Sequence, residues 1–333
     1  MALVPDTTIL ATGIGSWPGT DPREAIVTVR DLLAEHLPYL PETPARGPGA
    51  DIIGRGTGVL TDLPVELMPS GWRLTSRPGR DAERTASLWH QDLDELAEAY
   101  DGYAGPLKIA LAGPWTLAAS IELPGGERAV ADLGAALEIA QSLADGIRVL
   151  TGTLARLVPG AQLIVQIDEP SLPAVLTGTV PTASGYGRLR AIETQEVLRG
   201  LQTVTDAYPG ETVLHCCDPV APIPVLRQSG ADRLALDLTA ASAARWESVA
   251  ATLEAGTGLY AGLLAADGSG SVVAAARDVV EQADRVGIET ALLERIVITP
   301  ACGLAGSTRE DAIATQRAAI DLADELTGLL DRR

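Results

Sequence analysis

AQLIVQIDEP, residues 161–170, sets the frame for reading the whole chain. Residues 161–168 form a short apolar run of strand character, and it stops on two carboxylates and a proline. Similar runs occur at 7–14 (TTILATGI), 107–112 (LKIALA), 212–217 (TVLHCC), 233–238 (RLALDL), 258–264 (GLYAGLL) and 295–300 (RIVITP), with a weaker candidate at 50–54 (ADIIG). Helical stretches lie between them, at about 81–100, 130–157, 188–206, 222–229, 242–255, 271–287 and 307–330. Alternating strands and helices with short connections predict a parallel sheet. Eight strands, most of them followed by a helix, predict an α/β chain folded as a (β/α)8 TIM-type barrel, with a doubly wound open sheet as the rival. Residues 1–333 are read as one such barrel domain. The segment 38–80, rich in proline and glycine, is read as long loop material around the weak second strand.

Composition limits what the chain can do. Apolar residues make up 46% and there is no Phe, so the core must be built mainly from Leu, Ile, Val and Ala. The net charge of −19 opposes a general nucleic-acid or anionic-membrane surface. No apolar stretch reaches the roughly 18–20 residues of a membrane span. The opening MALVPDTTILATGIGSWPG has no basic region and Asp6 interrupts it, so no signal peptide is read there. Three cysteines make no disulfide framework, and the expected location is cytoplasmic, with thiols free for metal or chemistry.

In a barrel of this kind the site lies at the C-terminal ends of the strands. Five strand ends carry reactive or ligand-type side chains: Ser16, the Asp168-Glu169 pair, His215 with Cys217, Asp237, and Cys302. Strand side chains alternate between faces, which puts His215 and Cys217 on one face, expected inward, and Cys216 against the helices as an inert buried thiol. Imidazole and thiolate are zinc donors, and His215, Cys217 and Cys302 suit a tetrahedral site with Asp237 as a carboxylate donor. Taken alone, the same residues also suit a core histidine beside ordinary buried cysteines, and Asp237 a helix N-cap or an ion pair. Asp168 and Glu169 suit binding of a substrate ammonium or proton transfer, or else capping of the following helix. Gly13-Ile14-Gly15-Ser16 allows backbone N–H groups to approach a carboxylate, with the Ser16 hydroxyl adding a bond. A second glycine-rich loop runs from Gly54 to Gly58, and neither loop is a dinucleotide fingerprint or a P-loop. His36 and His90 read as surface residues. Trp17, Trp72, Trp89 and Trp115 read as core or loop anchors before ligand platforms, and of these Trp17 and Trp115 follow strand ends and are candidates to line the pocket.

Together these pieces resemble a known family, the catalytic C-terminal barrel of cobalamin-independent methionine synthase. The motifs that carry the resemblance are TGIGSWP near the start, GPWTL at 113–117, VQIDEP at 165–170, HCC at 215–217 and CGL at 302–304, in the family's order and over nearly the whole chain. The resemblance implies a TIM-type barrel in a short, stand-alone form. It implies a methyltransferase that moves a methyl group from 5-methyltetrahydrofolate (as its polyglutamate) to the thiol of homocysteine. It implies Zn2+ held by His215, Cys217, Cys302 and, where the family has a glutamate, Asp237. Asp168 would hold the homocysteine ammonium, and Ile14, Gly15 and Ser16 its carboxylate. The chain departs from the family in three places. LYAGLLAAD at 258–266 has no histidine, GPWTLAAS at 113–120 has no tryptophan a few residues past its GPxT motif, and only Asp62 and Glu66 stand as candidates for a second acidic contact to the amino group. These departures admit a corrinoid protein or another small molecule as methyl donor. Two further alternatives are a barrel like uroporphyrinogen decarboxylase and a non-catalytic zinc- or thiol-binding relative.

Overall fold

The structure, a computed structural model, describes residues 9–333. In chain order its elements are β1 (Leu10–Ala11), α1 (Pro22–Leu32), α2 (Ile52–Thr57), β2 (Val65–Met68), β3 (Gly71–Leu74), α3 (Arg80–Ala99), β4 (Ala104–Ala112), α4 (Pro114–Ser120), α5 (Leu133–Leu157), β5 (Gly160–Asp168), α6 (Leu172–Thr177) and α7 (Thr194–Thr205). There follow β6 (Thr212–Cys216), α8 (Ile223–Leu226), β7 (Arg233–Asp237), α9 (Ala243–Glu254), β8 (Gly258–Leu264), α10 (Val272–Val286), α11 (Thr290–Leu293), β9 (Val297–Pro300) and α12 (Arg309–Leu330). The strand expected at 7–14 is the short β1. Residues 7 and 8, and the first part of the segment weighed as a signal peptide, lie outside the described residues. Among the described residues no helix is long and apolar enough to cross a membrane.

Seven strands form one parallel sheet in the order β1-β9-β8-β7-β6-β5-β4. An open sheet would leave β1 and β4 as edges. Instead, residues 37–42 bridge them. Leu37 N–H donates to Ala11 O at 3.1 Å and Glu42 N–H to Gly15 O at 3.0 Å on one side. On the other, Leu40 N–H donates to Lys108 O at 2.9 Å and Lys108 N–H to Pro38 O at 3.0 Å. The sheet therefore curls into the TIM-type barrel, with an irregular eighth stave. Pro38 and Pro41 have no N–H, so this stave cannot carry a full ladder and escapes the usual strand signals.

The eighth strand expected at 50–54 is a correction. Asp51 accepts from the N–H groups of Ile53 and Gly54 and caps α2, so that stretch begins a helix. The loop expected over 38–80 also holds the antiparallel hairpin β2–β3. Helix α1 was not anticipated, although Asp21 as N-cap with Pro22 at the first helical position is a start signal.

Two apolar layers hold the barrel. The larger lies between the sheet's outer face and the helices and includes Cys216, Leu214, Leu236, Ile298 and Ile167. A smaller cluster inside the barrel joins Leu37, Ile164, Val213, Ala235, Tyr260 and Val297 and plugs its N-terminal end. Along β5 the inward positions run Ile164, Gln166, Asp168, from that apolar plug up to the C-terminal mouth.

Candidate active site at the barrel mouth

The inward face of β5 delivers Asp168 beside His215 on β6, the residue it pairs with in the ladder. His215 Nδ1 lies 2.9 Å from Asp168 Oδ1, and both side chains are almost wholly buried. A carboxylate partner makes Nδ1 the protonated nitrogen, which leaves Nε2 as a lone-pair donor. Nε2 is buried and has no hydrogen-bond partner among the described residues. Cys216 points the other way into the outer core, fully buried, and burial pushes its thiol up to about 12. The alternation expected of HCC is therefore observed.

Cys217 meets Cys302 across the mouth, Sγ to Sγ at 3.7 Å. The two residues follow the ends of β6 and β9, which are not neighbours in the sheet. Their mutual contact, followed by His215 and the N–H of Gly303, pulls the Cys302 thiol down to about 6, while Cys217 is pushed up.

The β6–β7 register, His215 with Ala235 and Cys216 with Leu236, carries Cys217 to the level of Asp237. Asp237 is turned toward its own loop: Oδ1 accepts from the Thr239 N–H at 2.9 Å and from its hydroxyl at 2.7 Å. Its other oxygen has no partner among the described residues. No cluster of three or more His, Cys, Asp or Glu side chains stands ready as a metal cage among the described residues. What is assembled is the His215–Asp168 pair and the Cys217–Cys302 pair. Arg245, not anticipated from sequence, donates to Pro219 O at 2.7 Å and Asp237 O at 3.2 Å, tying together the loops that follow β6 and β7.

The glycine-rich first loop lies against the cysteine loop. Leu304 N–H donates to Ser16 O at 2.9 Å, and a side chain on Gly303 would collide with the Ser16 hydroxyl. Behind the loop stands Lys108, which is fully buried. Its Nζ donates to Gly13 O at 2.6 Å, Ile14 O at 2.7 Å and Gln166 Oε1 at 2.5 Å. Burial pulls its ammonium down to about 7, opposed by Asp168 and Glu42. Three short acceptor contacts use all three of its protons, which is the ammonium form.

Glu169 does not face the pocket, a correction to its expected role in substrate binding. Its carboxylate accepts from the N–H groups of Trp115 and Thr116 at 2.9 and 2.8 Å and from the Thr116 hydroxyl at 2.7 Å. It caps the start of α4, and burial pushes it up to about 7 against those donors. Trp17 and Trp115 are core residues, 2% and 1% exposed, and Trp115 Nε1 donates to Val197 O, so neither offers a stacking face. His36 is half-buried, not a surface residue, and its Nδ1 accepts from the Ala11 N–H; His90 is exposed as expected. Asp62 lines an outer cleft with Pro64 and Ser76, and Glu66 packs against Gly79 at the start of α3.

The acidic group that does reach the neighbourhood of Asp168 is Glu42, on the eighth stave. Burial pushes it up to about 7, with Arg55 pulling against that and Asp168 adding to it. Its ordinary value is 4.5, so the folded protein holds its proton between those pH values and the unfolded chain does not. The cost of its charge is fully present above pH 7 and vanishes as pH falls through that window. Glu42→Gln is therefore expected to raise stability by on the order of 2 kcal/mol at pH 8 and by nothing near pH 4. Thermal melts across that range check it, and a gap that is flat with pH would refute it.

A cavity of about 720 Å3 opens at the opposite end of the barrel, lined by Leu10, Leu37, Ile164, Tyr260 and Val297. It lies against the apolar plug and away from the mouth, and barrel chemistry sits at the other face.

The sequence bears on what this mouth does. Residues 106–325 match the family model described as the catalytic domain of cobalamin-independent synthase.

The chain belongs to this family.

It is thus an enzyme, a methyltransferase of the cobalamin-independent methionine synthase type. Among solved structures it is similar to a B12-independent methionine synthase from Shewanella sp. W3-18-1, determined in complex with selenomethionine. The TM-score is 0.63 at 12% identity, over 98% of this chain and 100% of that one. At that identity the likeness speaks for the fold. A protein from Pseudomonas aeruginosa described as a dihydrodipicolinate synthetase has a TM-score of 0.40 at 11% identity, over 97% of this chain and 83% of that one, too distant to carry an argument. No curated protein sequence matches. Within the cobalamin-independent synthase family, the matched region spans β4 to α12 and so contains the Asp168–His215 and Cys217–Cys302 pairs; the Gly13–Ser16 loop and Glu42 precede it.

Proposed function

We propose that this barrel, taken over the whole chain as one catalytic unit, methylates the sulfur of homocysteine to form methionine, with a zinc ion held at its mouth. The observation that carries the reading is the pairing of Cys217 and Cys302 at 3.7 Å beside a buried, unpartnered His215 Nε2. Two thiolates on one tetrahedral zinc, each about 2.3 Å from it, lie about 3.8 Å apart. The donor set thus fits the metal. His215, Cys217 and Cys302 would hold it, and Asp237 would supply the carboxylate of the set through the oxygen that its Thr239 contacts leave free. A bound zinc makes a coordinating thiol ionise near neutral pH, where a free thiol with a pKa of about 8.5 is mostly protonated.

The chain's own groups orient the substrate. Asp168 Oδ1 serves His215 and Gln166, and its other oxygen remains for the substrate ammonium. The backbone N–H groups around Ile14, Gly15 and Ser16, with the Ser16 hydroxyl, take its carboxylate. With both ends held, the sulfur is aimed at the methyl carbon of the donor. The S–CH3 bond forms as the bond from methyl to the donor's leaving atom breaks, and the electron pair stays with the leaving group.

Membership in the family supports a folate-type methyl donor, which we read as 5-methyltetrahydrofolate. A second reading keeps the same thiol site but takes the methyl group from a corrinoid protein or another donor. The specific observation in its favour is that Trp115 is buried and hydrogen-bonded away from the mouth, while the stretch after β8 has no histidine.

Metal content by elemental analysis, with zinc-edge absorption before and after homocysteine, tests the core of the proposal. The expected result is one zinc per chain that gains a sulfur neighbour on adding homocysteine. No zinc after reconstitution would overturn it. Supplying methyltetrahydrofolate or a methylated corrinoid protein to the zinc form then separates the two donors.

A further inference from the structure

A charged side chain with no exposed surface, deep in a barrel, is costly unless it is fully paired, and Lys108 is fully paired with groups that belong to the site. Its ammonium holds the carbonyls of Gly13 and Ile14 and the amide oxygen of Gln166. Gln166 Nε2 donates onward to Asp168 Oδ1 at 2.7 Å and to Ile14 O at 2.9 Å, and Asp168 Oδ1 meets His215 Nδ1. One run of contacts therefore links Lys108, Gln166, Asp168 and His215.

Two consequences follow from elementary chemistry. In a trans peptide the carbonyl of one residue and the N–H of the next point in opposite directions, and no cis bond occurs among the described residues. Drawing the Gly13 and Ile14 carbonyls onto Lys108 turns the N–H groups of Ile14 and Gly15 away from it. Neither donates to an acceptor among the described residues. The second consequence concerns Gln166. An ammonium accepts nothing, so the Gln166 atom against Lys108 must be the oxygen, and the NH2 must face Asp168. That contact occupies Oδ1 and leaves Oδ2 for a ligand.

We propose that Lys108 is a positioning residue that builds both poles of an amino-acid pocket. It aims the loop N–H groups at a carboxylate and, through Gln166, aims Asp168 at an ammonium. This rests on the reading of the site as one for an amino-acid thiol. A lysine serving only to fill the barrel would not distinguish ligands by their poles, and that difference is measurable.

The experiment is calorimetric binding to the zinc-loaded full chain with four thiols: homocysteine, 3-mercaptopropan-1-amine, 4-mercaptobutanoate and propane-1-thiol. The native protein binds homocysteine well above propane-1-thiol; if it does not, the amino-acid reading itself fails. Given that preference, Lys108→Met is expected to weaken homocysteine by about 100-fold while leaving propane-1-thiol unchanged. Unchanged homocysteine binding, or a parallel loss for both thiols, would overturn the inference. Gln166→Leu gives an independent arm should Lys108→Met not fold. It is expected to weaken 3-mercaptopropan-1-amine more than 4-mercaptobutanoate, because Gln166 is one of two side chains on Ile14 O but the only amide on Asp168, and equal effects on the two would count against the relay.

Discussion

Replacing Cys302 with serine is expected to empty the metal site and end methyl transfer. A serine hydroxyl stays protonated at neutral pH and is a poor zinc donor, whereas the Cys302 thiol is pulled down to about 6 by Cys217, His215 and the Gly303 N–H. The change also leaves Cys217 without the partner that stands 3.7 Å away. Zinc content should fall from one per chain to under about a tenth after dialysis, and activity by more than about 1000-fold. The companion change Cys216→Ser separates ligand loss from thiol loss. Cys216 is buried against the helices, so its serine variant should keep both zinc and activity while losing about 1–2 kcal/mol of stability to a buried hydroxyl. Full activity in Cys302→Ser would remove the zinc–thiol mechanism.

Asp168→Asn is the second large effect. Under the proposed reading its carboxylate would perform two tasks from one position: it fixes the His215 tautomer through Nδ1, and its oxygen not used by His215 and Gln166 would take the substrate ammonium. Loss of a partner that orients a metal-binding histidine costs about 10–100-fold. Loss of a charge-assisted bond to the ammonium costs about 10–100-fold more. The two multiply, so kcat/KM for homocysteine should fall by roughly 10^3 or beyond. The split between them is readable. Zinc affinity reports the first task and homocysteine binding to the zinc-saturated variant the second. A variant with native zinc affinity and native homocysteine binding would show that Asp168 has neither task.

The fold was legible where the pattern was regular. Strands β4 to β9 each announced themselves as an apolar run, because a parallel sheet covered on both faces needs such runs. The eighth stave did not. Residues 37–42 read LPYLPE, and two prolines hide a stave whose backbone donates to its neighbours only from Leu37, Leu40 and Glu42. At ADIIG the apolar signal was outweighed by Asp51, whose side chain accepts from two N–H groups and starts a helix. Much of the mouth was also legible. Alternation separated Cys216 from His215 and Cys217, and strand-end placement selected Asp168 and Cys302. Alternation does not say which carboxylate of a neighbouring pair is already satisfied, so Glu169 was credited with a substrate contact when it caps α4. Lys108, Gln166 and Glu42 went unread, yet two of them left a trace. A lysine inside LKIALA and a glutamine two positions before Asp168 interrupt otherwise apolar strands, and a polar side chain in such a place must be paired within the barrel.

The prolines of the eighth stave also bear on how the barrel opens and closes. The other junctions between staves are parallel ladders, with one register shift between β8 and β9 at Gly262–Leu264, but the two seams flanking residues 37–42 are stitched by scattered bonds. Closing them joins the first and fourth strands of the chain after the intervening parallel pairs exist, the kind of non-local step that comes late and is the first to come undone. The stave also presents no flat, fully hydrogen-bonding edge to another chain while the seams are open, since proline blunts an edge. Glu42 sits on that stave, and the glycine-rich loop is sewn to it through Gly15 and Trp17. The most easily parted line of the barrel therefore runs beside the pocket assigned to the substrate's polar groups. Occupying that pocket would fasten the barrel shut, and an empty one leaves the seam as its point of breathing.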